Sequence, residues 1–291
     1  MNLKEEVRFL EANGIRYALR HFTAMGAHAN APRRTVLLLH GFLDCGATWD
    51  LVAPHLVSAG FDVFAPDFRG FGDSGRIPAG GYYYFADYIA DVAALTTSLG
   101  AEDLSVVGHS MGGGVASLFA GTFPDRVQKL ALLEGLGPMN DPPELAVQRM
   151  RRWMADVARI DRAPRPLSSQ EEAVTRLAAT HPRIDRATLE SRAAKLTRRD
   201  SQGQLVWAYD PLHRTTSPTP FNTAAYRSFL QAITAPTLFV GGGPTGWHPP
   251  DEEARLADIK DARRVDLPDA GHMMHWTAPA ELAAALLDHF G

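Results

Sequence analysis

The strongest constraint on the fold is a succession of short apolar runs, each of strand length and each closed by turn residues. They are Thr35 to Leu39, Phe61 to Phe64, Leu104 to Val107, Leu130 to Leu133, Thr237 to Val240 and Arg264 to Leu267. Runs that are continuous rather than alternating suit strands buried on both faces, as in a parallel sheet. Helical patterns fall between them at 48–58, 83–98, 111–123, 250–259 and 279–290. Strand alternating with helix predicts an α/β protein with a mostly parallel, doubly wound sheet, and ligands at the C-terminal ends of its strands. Ahead of the series, Val7 to Glu11 and Ile15 to Leu19 flank Asn13-Gly14, which reads as a hairpin.

The rhythm stops between about 138 and 222. Pro138, Pro142, Pro143, Pro164 and Pro166 accompany helical stretches near 144–159, 169–180 and 187–197, with no buried-strand run. We read 138–222 as a helical cap inserted into a core formed by 1–137 and 223–291. Within it Val147, Met150, Trp153/Met154 and Val157 recur at helical spacing. Such a stripe serves helix packing or, where it faces the core, pocket lining.

Composition narrows the class further. The 291 residues carry a formal charge of -4, so nothing favours nucleic acid or an anionic membrane as partner. No apolar run approaches the ~18–20 residues of a spanning helix. The polar start, Met1-Asn2-Leu3-Lys4-Glu5-Glu6, has no apolar signal region, and the expected compartment is cytoplasmic. Cys45 is the one cysteine, which excludes an internal disulfide. The histidines show no metal-ligand spacing and no phosphate-binding glycine motif occurs, so neither metal nor cofactor is expected.

The chemistry concentrates in Gly108-His109-Ser110-Met111-Gly112, a G-x-S-x-G between the run ending at Val107 and a helix-forming stretch. A nucleophile at a sharp strand-to-helix turn adopts strained dihedrals, and small residues on either side let strand and helix pack closely. The N–H after the serine then points from a helix N-terminus, where negative charge is stabilised.

Three further motifs occur in register: His40-Gly41 after 35–39, Asp67-Phe68-Arg69-Gly70-Phe71-Gly72-Asp73-Ser74 after 61–64, and Gly271-His272 after 264–267. Together the four resemble the α/β-hydrolase fold, in its cap-bearing branch of esterases, dehalogenases and epoxide hydrolases. The resemblance covers residues 6–138 and 223–291. It implies Ser110 as nucleophile and His272 as its base, with the Phe42 and Met111 N–H groups as oxyanion hole. Relatives commonly place an Asp in the turn after the strand equivalent to 237–240. Here Gly241-Gly242-Gly243-Pro244-Thr245 puts Thr245 there. Glu134, at the end of the strand following the nucleophile helix, is the expected acid, as in one dehalogenase subfamily, with Asp251 as fallback.

The same resemblance excludes dehalogenase and epoxide-hydrolase chemistry, since both need an Asp nucleophile and the former an Asn at position 42. His40 and His109 read as framework, and His275 as structural or at the pocket rim. Asp67, Arg69, Gly70, Gly72 and Ser74 read as loop architecture, and the tryptophans as mostly core. The expected activity is hydrolysis of a small or medium carboxylic ester through a Ser-His-Glu triad. Lactone, thioester and carbon–carbon bond hydrolysis remain open on this scaffold, as does a small-molecule receptor.

Overall fold

A computed structural model describes residues 3–25 and 34–291; the Met1-Asn2 part of the polar start lies outside the described residues. Ten strands are present: β1 Leu3–Ala12, β2 Ile15–Ala24, β3 Thr35–Leu39, β4 Asp62–Pro66, β5 Leu104–His109, β6 Lys129–Leu133, β7 Thr197–Arg199, β8 Leu205–Trp207, β9 Thr237–Gly241 and β10 Ala262–Asp266. The α-helices are α1 Ala53–Ser58, α2 Phe85–Leu99, α3 Met111–Thr122, α4 Ala146–Arg159, α5 Gln170–Thr180, α6 Arg186–Leu196, α7 Thr223–Ala232, α8 Glu252–Ala257, α9 Met274–Thr277 and α10 Pro279–Phe290.

Eight strands form one sheet in the order β1-β2-β4-β3-β5-β6-β9-β10. The β1–β2 and β2–β4 pairings are antiparallel and the others parallel. The chain therefore winds outward from β3 in both directions, and the reversal beside β3 opens a crevice at the C-terminal strand ends. Alternation along each strand divides the interior in two. Leu37, Leu39, Val106 and Leu132 face α2, α3 and α7, where Val92, Val115, Phe119 and Leu230 meet them. Val36, Leu38, Val107 and Leu133 face α1 and α10 across Leu56, Leu282 and Leu286. A strand buried on both sides has no polar face to spend, which is why these runs are continuous.

The edges depart from the sequence expectation. β10 is largely exposed, with Arg263 and Arg264 in it, because its outer side has no neighbouring strand. The hairpin is real but twice as long as its apolar signal, since β1 is mostly exposed and carries charge along its length. Helix α7 is absent from the sequence expectation because Asn222, whose side chain caps Ala225 N–H at 3.0 Å, reads as a continuation of the proline-rich block.

Residues 138–222 supply no strand to the eight-stranded sheet. They hold α4, α5, α6 and an antiparallel β7–β8 pair. That pair is an addition to the mostly helical cap expected from the sequence; strands of three residues are too short to show a period. Leu177, Leu189, Ala193 and Leu196 from α5 and α6 pack on Cys45, Ala47, Met273 and Trp276 of the core. Arg192 is buried there, donating to Asp50 at 2.7 and 3.1 Å and to the Thr48 carbonyl at 3.0 Å. The α4 stripe behaves otherwise: Val147, Met150 and Met154 are exposed, while Trp153 packs on Tyr82 and Val157 on the core.

Candidate active site

The sheet itself sets Ser110 and Glu134 side by side. His109 pairs with Leu133 in the β5–β6 register, so the next residue of each strand leaves at the same level. Backbone bonds continue the ladder past the strand ends, from Ser110 N–H to Leu133 O at 2.9 Å and from Glu134 N–H to Val240 O at 3.1 Å. Both residues then turn sharply, Ser110 at φ 52° and Glu134 at φ 45°. Non-glycine residues in this left-handed region cost about 1–3 kcal/mol each and persist where the surroundings enforce them. At Ser110 the enforcement is close packing: a Cβ on Gly108 would lie 2.3 Å from Gly112 O, and one on Gly112 would lie 2.3 Å from Leu39 O.

His272, on the turn after β10, comes to this edge from two strands away. Its Nδ1–H donates to Glu134 Oε2 at 2.6 Å. The carboxylate is fully buried and held from two more directions, by Gly242 N–H on Oε1 and Trp247 N–H on Oε2, each at 2.6 Å. The turn after β9, which in relatives supplies the acid, here supplies the donors that hold it. A Cβ on Gly246 would stand 1.7 Å from Glu134 Oε1. We therefore expect Gly246→Ala to lower kcat on the order of 100-fold, since ångström-scale misplacement of a catalytic group costs about that much. Its backbone, φ −79° and ψ −170°, accepts alanine without strain, so any fall in the thermal midpoint should come from the displaced carboxylate and its lost hydrogen bonds alone. Wild-type kcat in this variant would show that the carboxylate has room to shift.

Asp251 sits apart from this group. It stands at the N-terminus of α8 and pairs with Arg255 at 2.9 Å. The Phe42 and Met111 N–H groups flank the Ser110 turn, Phe42 on the turn after β3 and Met111 as first residue of α3, and neither donates to another described residue.

Around the site the histidines separate into roles. His40 Nδ1–H donates to Gly41 O at 2.8 Å and its Nε2 accepts Phe68 N–H at 3.0 Å, tying the turn after β3 to the loop after β4. His109 Nε2–H donates to the His272 carbonyl at 2.7 Å, so the residue before Ser110 grips the backbone of His272. Burial, followed by His275 and His272 nearby, holds His109 well below the usual histidine range. His275 is fully buried rather than at a rim and bonds Asp44 Oδ2 at 3.0 Å. Asp44, His109 and His275 bring donor atoms within 4.8 Å of one another. Asp44 accepts from Thr48 Oγ1 and bonds His275 Nε2, and His109 Nε2 donates to His272 O, while His109 Nδ1 and His275 Nδ1 are buried with no partner among the described residues.

The loop 67–74 is architectural in detail. Asp67 accepts from Gly46 N–H at 2.7 Å and Asp73 N–H at 2.8 Å, while Arg69 reaches α2 and grips Asp91 at 2.5 and 2.6 Å. A cavity of about 450 Å³ opens over Ser110. Phe42, Phe85, Met111, Pro138 and Trp247 wall it, and no lysine or arginine lines it. Trp247 is 40% exposed, which corrects its reading as core. Neither Trp247 nor Phe85 stands out in the sequence, because Trp247 lies in a loop without period and Phe85 opens α2 on a side that the helical pattern does not mark as special.

A serine at a strand-to-helix turn, lining one cavity with a carboxylate-bound imidazole at the C-terminal edge of a parallel sheet, defines a hydrolase scaffold. The chain belongs to the alpha/beta hydrolase fold family, which residues 34–279 match. A serine hydrolase-like protein of Dictyostelium discoideum is 27% identical over 253 residues, 81% of this chain and 69% of that protein. A serine hydrolase-like protein of Danio rerio is 34% identical over 128 residues, but these cover 44% of this chain and only 39% of the relative. Among solved structures, the thioesterase domain from the curacin biosynthetic pathway has a TM-score of 0.85 at 26% identity, over 98% of this chain and 99% of that one. Among the described residues no helix is long and apolar enough to cross a membrane.

Proposed function

We propose that this hydrolase cleaves a carboxylic ester through an acyl-enzyme, with residues 138–222 as a cap beside the site. The observation that carries the reading is the 2.6 Å bond between His272 Nδ1 and buried Glu134, at a strand end level with Ser110. Ser110 attacks the ester carbonyl as His272 Nε2 takes its proton, and Glu134 steadies the imidazolium that forms. The oxyanion is received by the Phe42 and Met111 N–H groups. His272 then protonates the leaving oxygen, and a water activated by the same imidazole frees the acid. The apolar wall of Phe42, Phe85 and Trp247 suits an uncharged acyl group. Thioester cleavage is the second reading, favoured by the likeness to a thioesterase domain.

A panel of p-nitrophenyl esters of rising acyl length, run beside fluorophosphonate labelling, tests the proposal. Turnover together with labelling of Ser110 is expected. A serine inert to the label, with no ester cleaved, would point instead to a receptor on this scaffold.

The pH profile has a defined sign. kcat/KM should fall toward acid pH with a single-proton slope, because protonated His272 cannot accept from Ser110. His109 and His275 add no second step near neutrality, since burial holds both well below the ordinary histidine range. A second proton step near neutrality would point to His248, which stands 3.7 Å from Glu134 and which, against partial burial, the Gly243 carbonyl and Glu252 raise above the ordinary histidine range.

A further inference from the structure

Two cavities meet at His272. One is the apolar cavity over Ser110; the other, of about 440 Å³, lies between residues 180–188 of the insert and the 269–277 turn. Of all the residues lining them, His272 alone belongs to both. Their chemistry differs. The first is walled almost wholly by apolar groups, whereas the second sets Thr180, His181, Arg183, Thr188, Thr245 and Asp269 beside an apolar side that includes Met273 and Trp276.

We infer that this second cavity is the leaving-group site, built for a neutral, hydrogen-bonding alcohol or thiol such as a glyceryl or pantetheinyl group. The inference deepens the ester reading and rests on it. In acyl transfer the imidazole that takes the serine proton returns it to the departing heteroatom. That atom takes the electron pair of the breaking bond to the acyl carbon, and the proton makes it a free alcohol or thiol. The departing group must therefore lie beside His272, away from the acyl wall, and the cavity found there is polar.

The details favour a neutral group that both donates and accepts. Thr245 Oγ1 stands 3.0 Å from where a Gly271 Cβ would be, against the histidine turn, and bonds to no other described residue. Thr188 Oγ1 donates to Asp185 Oδ2 at 2.7 Å and Thr180 Oγ1 to Leu177 O at 3.0 Å, leaving lone pairs on each to accept. Burial pushes His181 below its ordinary range, so its neutral ring offers one donor and one acceptor. Arg183 and Asp269, both exposed and without an ion-pair partner among the described residues, supply one charge of each sign. Their balance gives no preference for an anion or a cation.

The test compares substrates sharing one acyl group, each against its own ethyl counterpart: 1-monooctanoylglycerol with ethyl octanoate, and S-octanoyl pantetheine with S-ethyl thiooctanoate. We expect the glyceryl or pantetheinyl substrate to exceed its ethyl counterpart at least ten-fold in kcat/KM, the pair with the larger ratio showing whether oxygen or sulfur departs. Thr245→Val should lower that ratio about five-fold, the worth of one neutral hydrogen bond. Arg183→Gln, at an exposed position where folding is not at risk, should lower it about two-fold. Equal kcat/KM within both pairs, or ratios unmoved by both variants, overturns this inference alone. No turnover of any substrate, with Ser110 inert to fluorophosphonate, overturns the ester reading and this site with it.

Discussion

Ser110→Ala is expected to cut ester turnover on the order of a million-fold, the scale seen when a nucleophile that works as one unit with its base is removed. What survives should come from binding and the oxyanion donors alone. Folding should be untouched, because alanine at φ 52° bears the strain that serine bears. Ser110→Gly sharpens the test. Glycine relieves the left-handed backbone and should add about 1 kcal/mol of stability, seen as a rise in Tm, while activity stays lost. Kinetics and thermal melts on the three proteins check both halves. Ester cleavage that persisted in Ser110→Ala would mean another residue attacks the carbonyl.

The second large effect is expected at Glu134. Replacing it with glutamine should lower kcat about ten-thousand-fold, the scale known for the neutral isostere of a triad acid. The amide neither stabilises the imidazolium nor matches its surroundings. Glu134 receives three donors, from His272, Gly242 and Trp247. An amide nitrogen in place of either oxygen faces at least one of those donors, so stability should also fall by about 1–3 kcal/mol. Asp251→Asn is the control. Its partner Arg255 also donates to the Leu136 and Pro138 carbonyls at 2.7 Å, so both activity and fold should stay near wild type. A reversed pattern, with Asp251→Asn inactive and Glu134→Gln active, would move the acid to Asp251.

Much of this architecture is legible in the residues because parallel strands leave a plain mark. Val36 to Leu39 must satisfy both helical layers at once, so the run is uniformly apolar and easily seen. β1 and β10 border solvent, and their charged residues blur the same signal. Ser110 and His272 announce themselves through the turns that carry them, and Glu134 through the absence of an acid at Thr245. The grip on Glu134 is hidden, for it comes from the N–H groups of Gly242 and Trp247, whose side chains say nothing about backbone donors. Asp44 and His275, 231 positions apart in the chain, form a buried pair that no local pattern foretells. The exposed methionines of α4 show the reverse failure: a stripe at helical spacing says which residues share a face, not what covers that face.

The space left empty at Gly246 makes the placement of the acid recognisable from sequence. A glutamate after β6 fits only where the neighbouring turn omits a side chain at this point, since the first carbon of any other residue would overlap Oε1. The two choices are thus linked. A side chain at 246 would turn Glu134 away from Gly242, Trp247 and His272 together, so in this chain positions 134 and 246 can change only in concert.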